Sequence, residues 1–347
     1  MTERNQNTLE EPQTDSTMES GQDPILTVRG LKVYFPISSG KLFTPPVPLK
    51  AVDDVSFEVF AGETLGIVGE SGCGKSTLGR GVLQLLNPTA GEVFWHDQKI
   101  SGLGPRQMIL HRKDLQIIFQ DPLASLNPRM TIGDIIAEPL TVHYPELSAG
   151  DRTTRVKEIM EQVGLLPLMI NRYPHEFSGG QCQRIGVARA MILRPKLIVC
   201  DEPVSALDVS IQAQIVNLIQ DLQKSFGLSL IFISHDLSVV RHISHRIMVL
   251  YLGNVMEIAD KKSLYEAPKH PYTKALISAV PLPDPEKEKN KQRIVLEGDL
   301  PSPLSPPSGC VFRTRCPIAR PVCASKKPTL QDIGGGHRVA CHFWDKQ

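Results

Sequence analysis

The sequence predicts an α/β fold, a parallel-sheet core with an antiparallel β layer fused to it, and three observations carry that expectation. Two short, continuous apolar runs, Leu197-Ile198-Val199-Cys200 and Leu228–Ile233, suit parallel strands buried on both faces. A third, Thr64–Val68, leads directly into a glycine-rich turn and then a helix beginning near Lys75. Ahead of it, Ile25–Val28, Leu31–Phe35 and Ala51–Phe60 alternate with the period of half-buried strands.

Taken in order, residues 1–23 hold six acidic side chains against one basic, Arg4. So little apolar surface cannot offset the entropy of ordering, so a disordered acidic tail is expected. A proline-rich loop is expected between Pro36 and Lys50, and further strands at Glu92–Trp95 and Leu115–Phe119. From Ile132 to Gly164 the pattern is mostly helical, with Val156, Ile159, Met160 and Val163 at helical spacing. Met248–Leu252 and Val255–Ile258 flank Gly253-Asn254 as a closing hairpin. Beyond Pro281 a Lys- and Glu-rich linker runs to Lys291, followed by proline- and serine-rich Pro301–Gly309 and four cysteines. The expected division is a tail (1–23), a main domain (24–270) with a helical subdomain at about 125–185, and a Cys-rich C-terminal extension (271–347).

Composition narrows the function. The 347 residues are 41% hydrophobic and 22% charged with a net charge of +1, which gives no case for nucleic acid as a partner. The apolar runs fall far short of the roughly 20 residues that span a bilayer. The N-terminus lacks the basic and apolar regions of a secretory signal. A cytosolic chain is expected, reaching any membrane through partner subunits.

The strongest motif is Gly69-Glu70-Ser71-Gly72-Cys73-Gly74-Lys75-Ser76-Thr77, a phosphate-binding loop without a mismatch. Backbone N–H groups and a helix N-terminus converge there on one anion. Lys75 would reach the β- and γ-phosphates of a nucleoside triphosphate, and Ser76 would bind Mg²⁺. Downstream, Leu197–Cys200 ends in Asp201-Glu202: a strand-end carboxylate for the Mg²⁺ shell, then one to polarise a water for in-line attack. Alone, that pattern is a common solvated strand end; below a phosphate loop it gains meaning. Phe177-Ser178-Gly179-Gly180-Gln181 precedes another helix, which Ser178 can cap, leaving free N–H groups at a positive dipole end.

In this order and separation, GESGCGKST, FSGGQ and LIVCDEPVSALD resemble the nucleotide-binding subunit of an ATP-binding cassette (ABC) transporter. The resemblance implies an ABC-type ATPase domain and assigns further residues. Gln120 matches the glutamine that touches Mg²⁺ and water and senses the membrane partner. Ser205–Asp208 matches the loop that crosses a dimer interface, His235 the histidine that contacts the γ-phosphate, and Phe35, or its neighbour Tyr34, the aromatic that stacks on adenine. Phe119–Arg129, His175–Ile185, His270–Ala275 and the cysteine tail resemble the F-type ATPase subunit of bacterial oligopeptide permeases, so the likeness covers Ile25 to Trp344.

The tail cysteines, Cys310, Cys316, Cys323 and Cys341, match neither zinc-finger pairs nor the common ferredoxin spacings. Spacing supports only a metal centre over free thiols; the resemblance implies a [4Fe-4S] cluster, structural rather than redox-sensing. Cys73, Cys182 and Cys200 read as small packing residues, with Cys73 the most open to alkylation because of its place in the loop. The resemblance further implies a head-to-tail dimer with a D-type ATPase, two membrane permeases and an extracytoplasmic peptide-binding protein, at the cytoplasmic face of the inner membrane. A dipeptide, murein-peptide or nickel importer shares these motifs. A soluble ABC ATPase of translation or repair is less consistent, since the chain has neither a second cassette nor a long coiled-coil insertion.

Overall fold

A computed structural model describes residues 23–38, 45–281 and 285–346. All of the expected acidic tail except Asp23 lies outside them. In chain order the strands and helices are β1 (Leu26–Ile37), β2 (Val47–Val59), β3 (Thr64–Val68), α1 (Lys75–Val82), β4 (Ala90–Trp95), β5 (Gln98–Lys99), α2 (Pro105–Arg112) and β6 (Leu115–Ile118). There follow α3 (Ile132–His143), α4 (Ala149–Gln162), α5 (Gly179–Met191), β7 (Leu197–Asp201), α6 (Val209–Phe226), β8 (Ser229–Ile233), α7 (Leu237–Ile243), β9 (Arg246–Tyr251) and β10 (Asn254–Asp260). The chain closes with α8 (Lys261–Glu266), α9 (Pro271–Ser278), α10 (Pro285–Asn290), α11 (Pro321–Ser325), β11 (Gln331–Asp332) and β12 (Arg338–Val339).

Two sheets sandwich α1. The smaller is antiparallel, ordered β2-β1-β4-β5; the larger is ordered β11-β12-β10-β9-β3-β8-β7-β6 and is parallel from β9 to β6. Alternate residues of the parallel strands feed two cores. Leu197, Val199, Ile231 and Ile233 pack with Leu78 and Val82 of α1 and the antiparallel sheet. Ile198, Cys200, Leu230 and Phe232 pack against the helices of the opposite face. Burial on both sides is what the continuous apolar runs require.

Some boundaries differ from expectation. The two segments expected as separate strands between Ile25 and Phe35 form one, with register shifts between Val28 and Tyr34 where Gly30 takes φ 55°. The expected proline-rich loop is shorter, because β1 and β2 pair out to Ile37 and Val47. Pro48 is tolerated because β2 is an edge strand. Part of the expected charged linker is α10, and Lys291 donates to the carbonyls of Ile277 and Val280.

The cysteine tail packs against the main body. β12 pairs with β10, Val339 opposite Glu257, and β11 adds outside it. Phe312 is fully buried, its ring 5.3 Å from both Tyr251 and Tyr272.

Candidate nucleotide site

The site begins with β3, whose five residues are all buried and so rigidly placed. The chain then leaves the sheet through the phosphate loop. Gly74 precedes α1 at φ 102°, and a Cβ there would lie 2.0 Å from the Ala51 carbonyl oxygen. Only glycine fits. Lys75, 4% exposed, donates from Nζ to the carbonyls of Gly69 (2.9 Å) and Glu70 (3.1 Å).

Ser71 to Thr77 line a cavity of about 280 Å³ together with Phe35, Lys50, Gln120 and Glu202. The choice between aromatics is thereby narrowed. Phe35 faces the cavity, whereas the Tyr34 hydroxyl donates to Asp53 Oδ1 at 2.5 Å. Gly69 and Glu70 do not line the cavity.

Three elements deliver side chains to one carboxylate. Glu202 follows β7 at φ 46°, a left-handed conformation that a non-glycine residue adopts at a cost of about 1–3 kcal/mol and that clusters at functional sites. Its Oε1 lies 3.7 Å from Lys75 Nζ. Its Oε2 accepts from Gln120 Nε2 at 3.1 Å and lies 3.3 Å from His235 Nδ1. Gln120 follows β6 and His235 follows β8, so adjacent parallel strands end around the same point, as open α/β sheets arrange their sites.

Asp201 is buried at the end of β7. Its Oδ2 lies 3.4 Å from Arg80, and its Oδ1 is buried without a hydrogen-bond partner. Ser76 and Gln120 line the cavity whereas Asp201 does not, but an unpaired carboxylate oxygen, a hydroxyl and an amide carbonyl are donor types suited to Mg²⁺, an oxygen-bound metal. Asp201, Ser76 and Gln120 therefore fit that ion.

The second motif lies elsewhere. Ser178 caps α5, accepting from the Gln181 N–H at 3.4 Å, while Gln181 Oε1 accepts from the Ser178 N–H at 3.0 Å. A Cβ on Gly180 would meet Ile211 of α6 at 2.6 Å, so α5 and α6 approach there closely. None of Ser178, Gly179, Gly180, Gln181 or Asp208 lines the cavity of the phosphate loop.

The tail thiols form a separate group. Cys310, Cys323 and Cys341 are buried, Cys316 partly, and none forms a disulfide. Burial pushes the Cys310 thiol up to about 11, helped by the charges of Cys323, Cys316 and Cys341. Cys316 and Cys341 are likewise raised by burial and by their cysteine neighbours. The sulfurs share one neighbourhood, yet among the described residues no three His, Cys, Asp or Glu side chains converge as a single ion requires. An all-thiol set fits iron–sulfur ligation by its chemistry.

Cys73 corrects an expectation. Its side chain turns inward beneath the loop, 1% exposed, and burial pushes its thiol up to about 11. A protonated, enclosed thiol is a poor target for alkylation. What the motifs did not announce is a clamp behind the loop: Arg315 Nη1 contacts both carboxylate oxygens of Glu70, at 2.9 and 3.0 Å, and the Glu70 N–H donates to the Tyr272 hydroxyl at 3.0 Å.

Known proteins place this geometry. Residues 52–205 match the ABC transporter family, and residues 256–323 match the C-terminal region of oligopeptide/dipeptide transporters. The oligopeptide transport ATP-binding protein OppF of Escherichia coli K12 is 58% identical over 328 residues, 94% of this chain and 98% of that one. The chain belongs to the OppF family of oligopeptide transport ATP-binding proteins. OppF of Salmonella typhimurium is 60% identical over 319 residues, 91% of this chain and 95% of its own. The fold of this OppF-family chain also matches a solved dimer of the ATP-binding cassette MJ0796 in a post-hydrolysis state bound to ADP and Pi. That match has a TM-score of 0.61 at 28% identity, covering 68% of this chain and 98% of that one. No helix among the described residues is long and apolar enough to cross a membrane.

Proposed function

We propose that this chain is the ATP-hydrolysing subunit of an ABC importer that energises oligopeptide uptake, and that Glu202 is its general base. The observation that carries this reading is the Glu202 carboxylate held by Lys75, Gln120 and His235 on the wall of the phosphate-loop cavity. Glu202 takes a proton from a water as its oxygen bonds to the γ-phosphorus; the bond from that phosphorus to the β–γ bridging oxygen breaks, and ADP leaves with phosphate. Lys75 neutralises charge on the β- and γ-phosphates, Gln120 orients the water, and His235 holds the γ-phosphate. Ser76, Asp201 and Gln120 would hold Mg²⁺, which would supply further charge neutralisation. Phe35 stacks on the adenine.

Because the capped α5 end lies outside the cavity, each site is completed by the Ser178-type motif of a second chain. In an oligopeptide permease that chain is a D-type ATPase, and the loop ending at Asp208 crosses the seam. ATP thus acts as the ligand that favours the closed pair, and hydrolysis releases it. Work passes to two transmembrane permeases, fed by an extracytoplasmic peptide-binding protein, with this chain at the cytoplasmic face of the bacterial inner membrane. A dipeptide importer is the second reading, supported by the oligopeptide/dipeptide family that matches the C-terminal region.

Replacing Glu202 by Gln is expected to cut ATP turnover on the order of 10²–10⁴-fold while nucleotide binding persists. Turnover at the wild-type rate would refute the assignment. The four tail thiols are read as ligands of a [4Fe-4S] cluster with a structural role. Anaerobically purified protein should then contain iron and sulfide, both lost on Cys310→Ser; zinc in place of iron would exclude the cluster.

A further inference from the structure

The phosphate loop contains a carboxylate, and a carboxylate beside a triphosphate site is electrostatically adverse. Glu70 follows Gly69 at the mouth of the loop, 27% exposed, and its backbone is held at both ends. Its carbonyl accepts from Lys75 Nζ at 3.1 Å and its N–H donates to the Tyr272 hydroxyl at 3.0 Å. Its side chain is drawn away by Arg315, only 11% exposed, at 2.9 and 3.0 Å. Arg315 sits 245 residues further along the chain, between Phe312 and Cys316, with its guanidinium 5.9 Å from the Tyr251 ring centroid. Phe312 in turn packs on Tyr251 and Tyr272, which fixes the segment that carries the guanidinium. From the same extension, Pro303 lines the nucleotide cavity itself.

We infer that Arg315 is a positioning residue for ATP binding: it neutralises Glu70 and holds the phosphate loop open to the triphosphate, so the C-terminal extension sets the affinity of a site it does not chemically share. A nearly buried guanidinium holds its partner more strongly than an exposed pair does, because solvent screens it less. Removing it leaves an uncompensated carboxylate within the phosphate loop, its field acting on the triphosphate from outside the cavity lining, and frees the loop. This inference rests on the reading that the loop binds ATP, which the wild-type protein tests by itself.

A double-mutant cycle on the full-length chain, with ATP binding and steady-state hydrolysis measured together, decides the matter. Arg315→Met is expected to raise the Kd for ATP about tenfold, with kcat kept within about twofold. In a Glu70→Gln background the same substitution should change Kd less than about twofold, since no charge remains to expose. Where Arg315→Met lowers the yield of folded protein, Arg315→Lys, which keeps the charge but breaks the two-oxygen contact, serves in both backgrounds. Equal weakening in the two backgrounds, or no weakening in either, overturns the inference. So does a fall in kcat that tracks loss of folded protein, the signature of a purely structural residue. Failure of the wild type to bind ATP would instead overturn the reading of the loop.

Discussion

At the scale of single residues, the site depends on positions where only one side chain, or none, is compatible with the backbone. Gly74 and Gly72 both take positive φ, 102° and 76°, but their surroundings differ. A Cβ on Gly74 would strike the Ala51 carbonyl at 2.0 Å, whereas one on Gly72 meets nothing within 4 Å. Gly72→Ala should therefore cost only the left-handed penalty, about 1–2 kcal/mol. Gly74→Ala must also push the β2 backbone aside and should abolish ATP binding. Melting temperature and ATP affinity measured on the pair check this ordering, and equal losses would contradict it. Glu202 belongs to the same class: its positive φ is what turns the residue after β7 toward Lys75, Gln120 and His235.

Among elements, α9 shows how an end can depend on protonation. His270 Nδ1 accepts from the Tyr272 N–H at 3.1 Å, and the His270 N–H donates to Glu257 Oε2 at 2.9 Å. Accepting requires an unprotonated Nδ1, and complete burial pushes the ring down from 6.5 to about 4, with Glu257 pulling the other way. The unfolded chain takes up that proton as pH falls through about 6.5, and the folded chain only near 4. Between those values the unfolded form binds more protons, so stability falls as pH drops through the window and is flat above it. His270→Asn keeps a capping acceptor but no titrating ring. Denaturation midpoints followed from pH 7 to about pH 4 should fall less steeply in that variant than in the wild type, and identical slopes would contradict the assignment. Other elements were partly legible. The hairpin at Gly253-Asn254 and the parallel strands follow from apolar pattern and turn residues. Helix α6 lies outside the expected elements although its buried Ile215, Val216, Ile219 and Leu222 follow helical spacing.

For the whole molecule, the motif residues were readable because short-range pattern dictates them. A phosphate loop needs its glycines in sequence, and the strands that end at Gln120, Glu202 and His235 announce themselves as apolar runs. Long-range partners leave no such mark. Nothing local to Arg315 points to Glu70, and nothing in the proline-rich tail indicates that Phe312 would enter the main core. Tyr34 and Phe35 are neighbours with equal aromatic character, and only the pairing of β1 with β2 directs one to Asp53 and the other to the cavity. The burial of Cys73 is hidden for the same reason, since a loop position says little about which way a side chain turns.

The short β12 strand has a consequence of its own. By pairing with Glu257 and Ile258 it occupies the flank of β10, and β11 then forms a rim of two residues, Gln331 and Asp332. A chain cut ahead of this ribbon would present open backbone donors and acceptors beside buried apolar side chains, a template on which a second molecule could dock strand to strand. The β11–β12 ribbon thus covers an edge of β10 that would otherwise be open to strand pairing.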